Sequence, residues 1–163
     1  MAVQMFRPSP IEQEPKRKNR FVLEFPTELG IDSFNVMTSG KPKITHNVVE
    51  IPYMNTKNYV IGKYSWGEIS VSFIDPIGPS STQKIMEWVR LHSESATGRQ
   101  GYAIGYKKNL VLKSVDGSGV EVEKWTLVGT LIKDAAFDEY DHNSDDISKV
   151  TITLQPFQCL LAV

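Results

Sequence analysis

Three histidines, His46, His92 and His142, are the side chains of this chain best suited to hold a metal ion or move a proton near neutral pH. No two of them stand at a ligand spacing, so neither an HExxH helix nor a zinc-finger pattern is present. His92 shares an i, i+3, i+4, i+7 stripe with Ile85, Trp88 and Val89, which predicts a histidine satisfied at the core boundary. The run Asp141-His142-Asn143-Ser144-Asp145-Asp146 begins like a calcium loop. Its sixth position is Asp146 where the loop needs glycine, and its twelfth is Ile152 where it needs glutamate. It reads instead as a solvated acidic loop. Gly40-Lys41 and Gly62-Lys63 lack the upstream glycine and the following Ser or Thr of a phosphate loop. No GxSxG nucleophile elbow occurs. The one cysteine, Cys159, can form neither an internal disulfide nor a CxxC pair. It reads as a small buried apolar group near a strand end. The expectation is a protein with no catalytic residue, no cofactor and no metal site, and so not an enzyme.

Charge narrows the partners. Eighteen Lys and Arg against nineteen Asp and Glu leave a formal net charge of −1. A sequence-reading DNA-binding protein normally shows a strongly basic face. The run Lys16, Arg17, Lys18, Arg20 is too short and isolated for such a face and predicts a solvated arm; brief, non-specific contact with nucleic acid stays compatible. A 163-residue chain with 40% hydrophobic and 23% charged residues fits one globular domain. No stretch approaches the ~18 apolar residues a membrane span needs. The first ten residues lack the charged-then-apolar layout of a secretory leader. No membrane anchor and a cytoplasmic site of synthesis are expected.

The elements that must position these residues are mostly strands. Residues 1–18 read as a proline-rich N-terminal arm that cannot bury enough apolar area to fold alone. Residues 19–163 read as a single domain. Phe21, Leu23 and Phe25 alternate with Val22 and Glu24; Phe34 and Val36 with Ser33 and Asn35; Ile69, Val71 and Phe73 with Glu68, Ser70 and Ser72; Val150, Ile152 and Leu154 with Thr151 and Thr153. Period two with one polar face predicts half-buried, mostly antiparallel strands. A hairpin is expected between 107–115 and 120–129, turning at Asp116-Gly117-Ser118-Gly119, with Asp-Gly supplying positive φ angles. The apolar phase slips at Lys124, which predicts a bulge near it. One helix is expected at 81–93, opened by a Ser80/Gln83 capping box, with Gly98, Gly101 and Gly105 in an irregular loop after it. The whole predicts a two-sheet antiparallel β-sandwich or partly closed barrel with one helix against it.

The segment 42–66 does not fit a compact monomer. It holds Ile44, Val48, Val49, Ile51, Tyr53, Met54, Tyr59, Val60, Ile61, Tyr64 and Trp66, yet Pro52, Asn55, Asn58 and Gly62 interrupt any regular pattern. A long loop or hairpin rich in large apolar groups predicts a partner surface.

At this point the sequence resembles the tail tube proteins of contractile-tailed bacteriophages. The resemblance rests on Asn19-Arg20-Phe21-Val22-Leu23-Glu24-Phe25, then Glu50-Ile51-Pro52-Tyr53-Met54-Asn55-Thr56-Lys57, Val60 and Gly62. Trp66-Gly67-Glu68-Ile69-Ser70-Val71-Ser72-Phe73, the helix with Trp88, and the closing strand Lys149–Leu154 follow in the expected order. It spans residues 19–155 as an ordered set of weak motifs.

The resemblance implies a structural subunit of a virion tail, assembled in the host cytoplasm. Six copies would form a ring, and rings would stack into a hollow tube that conducts DNA inside a contractile sheath. Its partners would be other copies of itself, the sheath, the baseplate and the tail terminator. On this reading Ile51, Tyr53, Met54, Tyr59 and Ile61 meet neighbouring subunits. Ser33, Asn35, Glu68, Ser70, Ser72, Thr151 and Thr153 face the lumen, where a hydroxyl-rich wall would not hold phosphates as a basic one would. A tube-initiating baseplate protein and a secretion or injection-system tube share the expected fold. A monomeric β-sandwich binding module is the alternative from another class.

Overall fold

Leu23, Ile69, Val71, Phe73, Leu110, Leu127, Val150, Ile152 and Leu154 are each almost fully buried. Where several of them share a strand they sit two residues apart, as the pleat requires when one face is dry. The computed structural model describes residues 14–162, so the part of the expected arm at 1–13 lies outside the described residues. The strands are β1 (Phe21–Glu24), β2 (Val36–Ser39), β3 (Ile44–Tyr53), β4 (Thr56–Trp66), β5 (Ile69–Ile74), β6 (Lys108–Val115), β7 (Glu121–Phe137), β8 (Lys149–Gln155) and β9 (Gln158–Ala162). The helices are α1 (Ser81–His92) and the single turn α2 (Ala103–Tyr106).

Seven of the strands form one antiparallel sheet in the order β1-β6-β7-β8-β5-β2, with β9 also paired to β7; β3 and β4 pair only with each other. The long β7 joins two halves. Its first part lies between β6 and β9, and its second part pairs with β8. The change of partner happens at Gly129, which has φ +63° and whose N–H donates to Asn109 Oδ1 at 3.1 Å. The ladder between β6 and β7 slips beside it, the mark of a glycine bulge. Both halves turn their apolar faces onto one core, and Phe25 meets Phe73 across it with ring centroids 5.6 Å apart. The fold is mainly β and antiparallel with one main helix, as expected, but the two expected sheets are halves of one continuous seven-stranded sheet. No closed barrel forms among the described residues.

α1 covers the core with Ile85 and Trp88, both fully buried. Its start is capped more fully than the sequence pattern indicates. Ser80 Oγ accepts from the Gln83 N–H at 3.5 Å, but Asp75 also receives Ser80 Oγ, the Thr82 N–H and Thr82 Oγ1 at 3.1, 3.3 and 2.6 Å. The helix ends at His92, one residue before the expected limit.

Several local expectations need correction. Residues Ser33–Asn35 form a 3-10 turn rather than a strand, because the Asp32 side chain accepts the Phe34 N–H at 3.0 Å and caps it. Phe34 is then thrown out to solvent at 92% exposure. The 108–121 hairpin does not turn on Asp-Gly. Asp116 Oδ1 takes the N–H groups of Ser118 and Val120 at 2.8 and 2.9 Å, and the positive φ falls on Gly119. The bulge expected near Lys124 is present, at Val122, between the pairs Ser114–Glu123 and Val115–Glu121. The segment 42–66 is a regular ribbon despite Pro52 and Gly62, since its ladder needs only one irregularity, near Asn47.

Candidate functional site

The β3–β4 ribbon is the first candidate surface. It closes through Met54-Asn55, and Met54 takes φ +50° at the first loop position. Strand pairing sets its two faces. Val49–Val60, Ile51–Asn58 and Tyr53–Thr56 lie on one; Val48–Ile61, Glu50–Tyr59 and Pro52–Lys57 lie on the other, where Lys57 and Glu50 form an ion pair at 3.0 Å. Every residue from Ile44 to Ile61 is exposed. Ile51, Tyr53, Met54, Tyr59 and Ile61 are 46, 67, 89, 58 and 67% exposed. The five expected interface residues are thus brought together on one ribbon, two on each face and Met54 at the tip.

The ribbon is tied to the domain at its root. Trp66 packs on the core and meets Trp125 edge-on at 6.4 Å. The Gly67 N–H donates to the Lys43 carbonyl at 2.7 Å, and Gln155 Nε2 donates to the Trp66 carbonyl at 2.9 Å. A two-stranded ribbon alone is marginal in water, and its apolar faces favour a cover.

The polar face of the sheet is the second candidate. Ser70 is paired with Thr153 and Ser72 with Thr151, so four of the expected lumen residues form one block across β5 and β8. Ser72 Oγ and Thr151 Oγ1 are 3.5 Å apart. Thr38 on β2 extends the block on one side, and Asp134 and Ala136 on β7 extend it on the other. Glu68, at the start of β5, forms an ion pair with Lys133. Ser33 and Asn35 do not join this face. They lie in the 3-10 turn, and Asn35 Nδ2 reaches Ser81 Oγ at 3.4 Å, at the start of α1.

A third feature was not legible from spacing. Residues 16–19 line a groove of about 580 Å³ together with parts of β1, β2, β6 and β7, and Phe21, Leu112 and Trp125 stand in its wall. Glu123 sits inside it, bound to Lys16 at 2.5 Å, Lys41 at 3.1 Å and Trp125 Nε1 at 2.5 Å. The Lys16 bond, then the indole, then Lys41 hold its carboxyl at about 2, well below the ordinary 4.5. No sequence signal links Lys16 to Glu123, 107 positions away.

The histidine expected at the core boundary is there. The Ile132 N–H donates to His92 Nε2 at 3.1 Å, so Nδ1 carries the proton and donates to the Trp88 carbonyl at 2.9 Å. The ring stacks on Tyr106 at 4.6 Å. Burial lowers its pKa. Cys159 is buried in β9, and burial pushes its thiol up to about 11, which makes it unreactive. No group of three or more metal-ligating side chains gathers among the described residues, and no helix there is long and apolar enough to cross a membrane.

No family model matches the chain, and no curated protein matches it. Solved structures do. The chain is similar to a component of the cap that terminates the anti-feeding prophage tube, with TM-score 0.75 and 16% identity over 100% of this chain and 99% of that one. It is similar to a component of the PVC sheath/tube terminator, from an extracellular contractile injection system, with TM-score 0.74 and 14% identity over 93% and 99%. Hcp1 from Flavobacterium johnsoniae matches at TM-score 0.50 and 12% identity over 87% and 94%. The neighbours of this fold are tube and cap components of contractile injection systems and Hcp proteins.

Proposed function

We propose that this chain is a structural subunit of a tail tube, in which copies close into hexameric rings and rings stack inside a contractile sheath. The observation that carries the reading is the β3–β4 ribbon, apolar on both faces and exposed along nearly its whole length. A neighbouring copy laid on it removes that surface from water. The open edges of β1, β2 and β9 favour the same outcome, since pairing with a neighbour removes an edge and a ring removes every one. Ser70, Ser72, Thr151 and Thr153 then wall the channel with hydroxyls, joined by Glu68. Such a wall suits passing DNA without holding it. Sheath, baseplate and terminator are the partners this role requires, and no bond-making chemistry is assigned to the chain.

The tube of an injection particle, or a ring at one end of such a tube, is the second reading. It is favoured by likeness over 92 to 100% of this chain to components of the anti-feeding prophage and PVC assemblies, at TM-scores of 0.70 to 0.75.

The test is the double variant Met54→Asp/Tyr59→Asp. Both side chains are more than half exposed in the single chain, so the monomer keeps its circular dichroism and melting temperature. Carboxylates buried at a subunit contact cost several kcal/mol, on the order of 3 or more, so assembly is lost. A variant that assembles like wild type removes the ribbon from the interface. One that unfolds places these residues in the fold itself.

A further inference from the structure

We propose that the groove under residues 16–19 receives the acidic loop 138–148 of a second copy, making a head-to-tail contact distinct from the β3–β4 ribbon. The proposal rests on the self-assembly reading and names one of its contacts.

The groove is apolar inside and basic at its rim. Phe21, Leu112 and Trp125 form its wall, and Lys16, Arg17, Lys18, Lys41 and Lys113 stand around it; Glu123 is the one carboxylate among the described residues of the lining. Lys16 and Lys41 share that carboxylate. Arg17 meets Glu14 at the longer distance of 3.6 Å. Lys113 meets Glu24 and Glu121, so among the described residues the positive charge of Lys16, Arg17, Lys18 and Lys41 is only partly offset.

The loop has the opposite character. Between Phe137 and Lys149 it carries Asp138, Glu139, Asp141, Asp145 and Asp146, and no lysine or arginine. All five carboxylates are exposed. In their midst Tyr140 is 97% exposed and Ile147 59%. Local bonds set the loop's shape: the Asn143 N–H donates to Asp141 Oδ1 at 2.9 Å, and the Lys149 N–H to Asp138 Oδ2 at 3.3 Å. An aromatic ring flanked by carboxylates complements an apolar groove flanked by ammonium and guanidinium groups.

Topology makes the contact intermolecular. Glu123 and Trp125 lie near the start of β7, and the loop leaves its far end at Phe137. A surface at one end that fits a surface at the other is heterologous, and repeating it builds a ring or a stack.

The test uses the full chain and charge reversal. Glu139→Lys/Asp145→Lys/Asp146→Lys inverts the loop, and Arg17→Glu/Lys18→Glu inverts the rim. Sedimentation velocity at low salt reads the assembled fraction. Each variant alone is expected to assemble less than wild type. An equimolar mixture is expected to recover, because each inverted surface then meets its complement. High salt should weaken wild type and mixture alike, since screening shortens the reach of charge. Tyr140→Ala removes only an exposed ring and keeps the fold, and is expected to weaken association on the order of tenfold. If wild type assembles while both reversal variants and Tyr140→Ala assemble equally well, the loop contact is wrong and the self-assembly reading stands. If wild type stays monomeric at every concentration, both fall together.

Discussion

At the scale of residues, one side chain that resembles a catalytic group, His92, serves the fold instead. It links α1 to β7 by accepting the Ile132 N–H, which only the neutral ring can do. Burial lowers its pKa in the folded chain. The unfolded chain therefore takes up a proton first, below its ordinary value of about 6.5. The stability from the neutral ring is complete above that pH and is lost as pH falls below it. Melting temperatures across pH 7.5 to 5 should fall for wild type and stay flatter for His92→Gln, measured against each protein's own value at pH 7.5. Equal slopes would remove His92 as the titrating group. Its placement was readable in advance because three apolar residues shared its stripe. Alternation misleads at Ser33 and Asn35, because Asp32 caps a turn with its own side chain and alternation alone does not register that competition.

At the scale of elements, β7 organises the molecule, and its bend depends on one residue. Gly129 sits at φ +63°, and a Cβ there would lie 3.2 Å from Phe157 Cβ. Left-handed backbone costs a residue with a Cβ roughly 1–2 kcal/mol. Gly129→Ala should lower unfolding stability by about that amount or more in a denaturant titration, with the slope unchanged. No loss would mean that the bend is set by the flanking strands. The strands that bury one face were legible from alternation: Ile69, Val71 and Phe73 on β5, and Val150, Ile152 and Leu154 on β8. The ribbon was legible only as an anomaly. Its strands have no dry face among the described residues, so their apolar residues fall on both sides, and period-two reasoning finds nothing to count. The pairing of Lys16 and Lys41 with Glu123 was not legible at all, because it joins segments that only the folded sheet brings together.

At the scale of the whole molecule, the exposed ribbon, the sheet edges and the hydroxyl face acquire a common purpose once copies associate. Ser70 and Ser72 test which side meets the channel. Both lie on the wet face of β5, so Ser70→Lys/Ser72→Lys should fold normally. In an assembled tail the added charges repeat ring after ring, and their attraction for phosphate accumulates. Tails of normal length with slowed DNA delivery are expected, scored as the rate of genome entry; delivery at the wild-type rate would place this face away from the channel. If this chain is a ring-forming, stacking subunit, as proposed, negative-stain electron microscopy of the concentrated, purified protein should show six-fold rings with an open centre, and short stacks of them as concentration rises. A field of single particles of monomer size, with monomeric sedimentation at the same concentration, would contradict it.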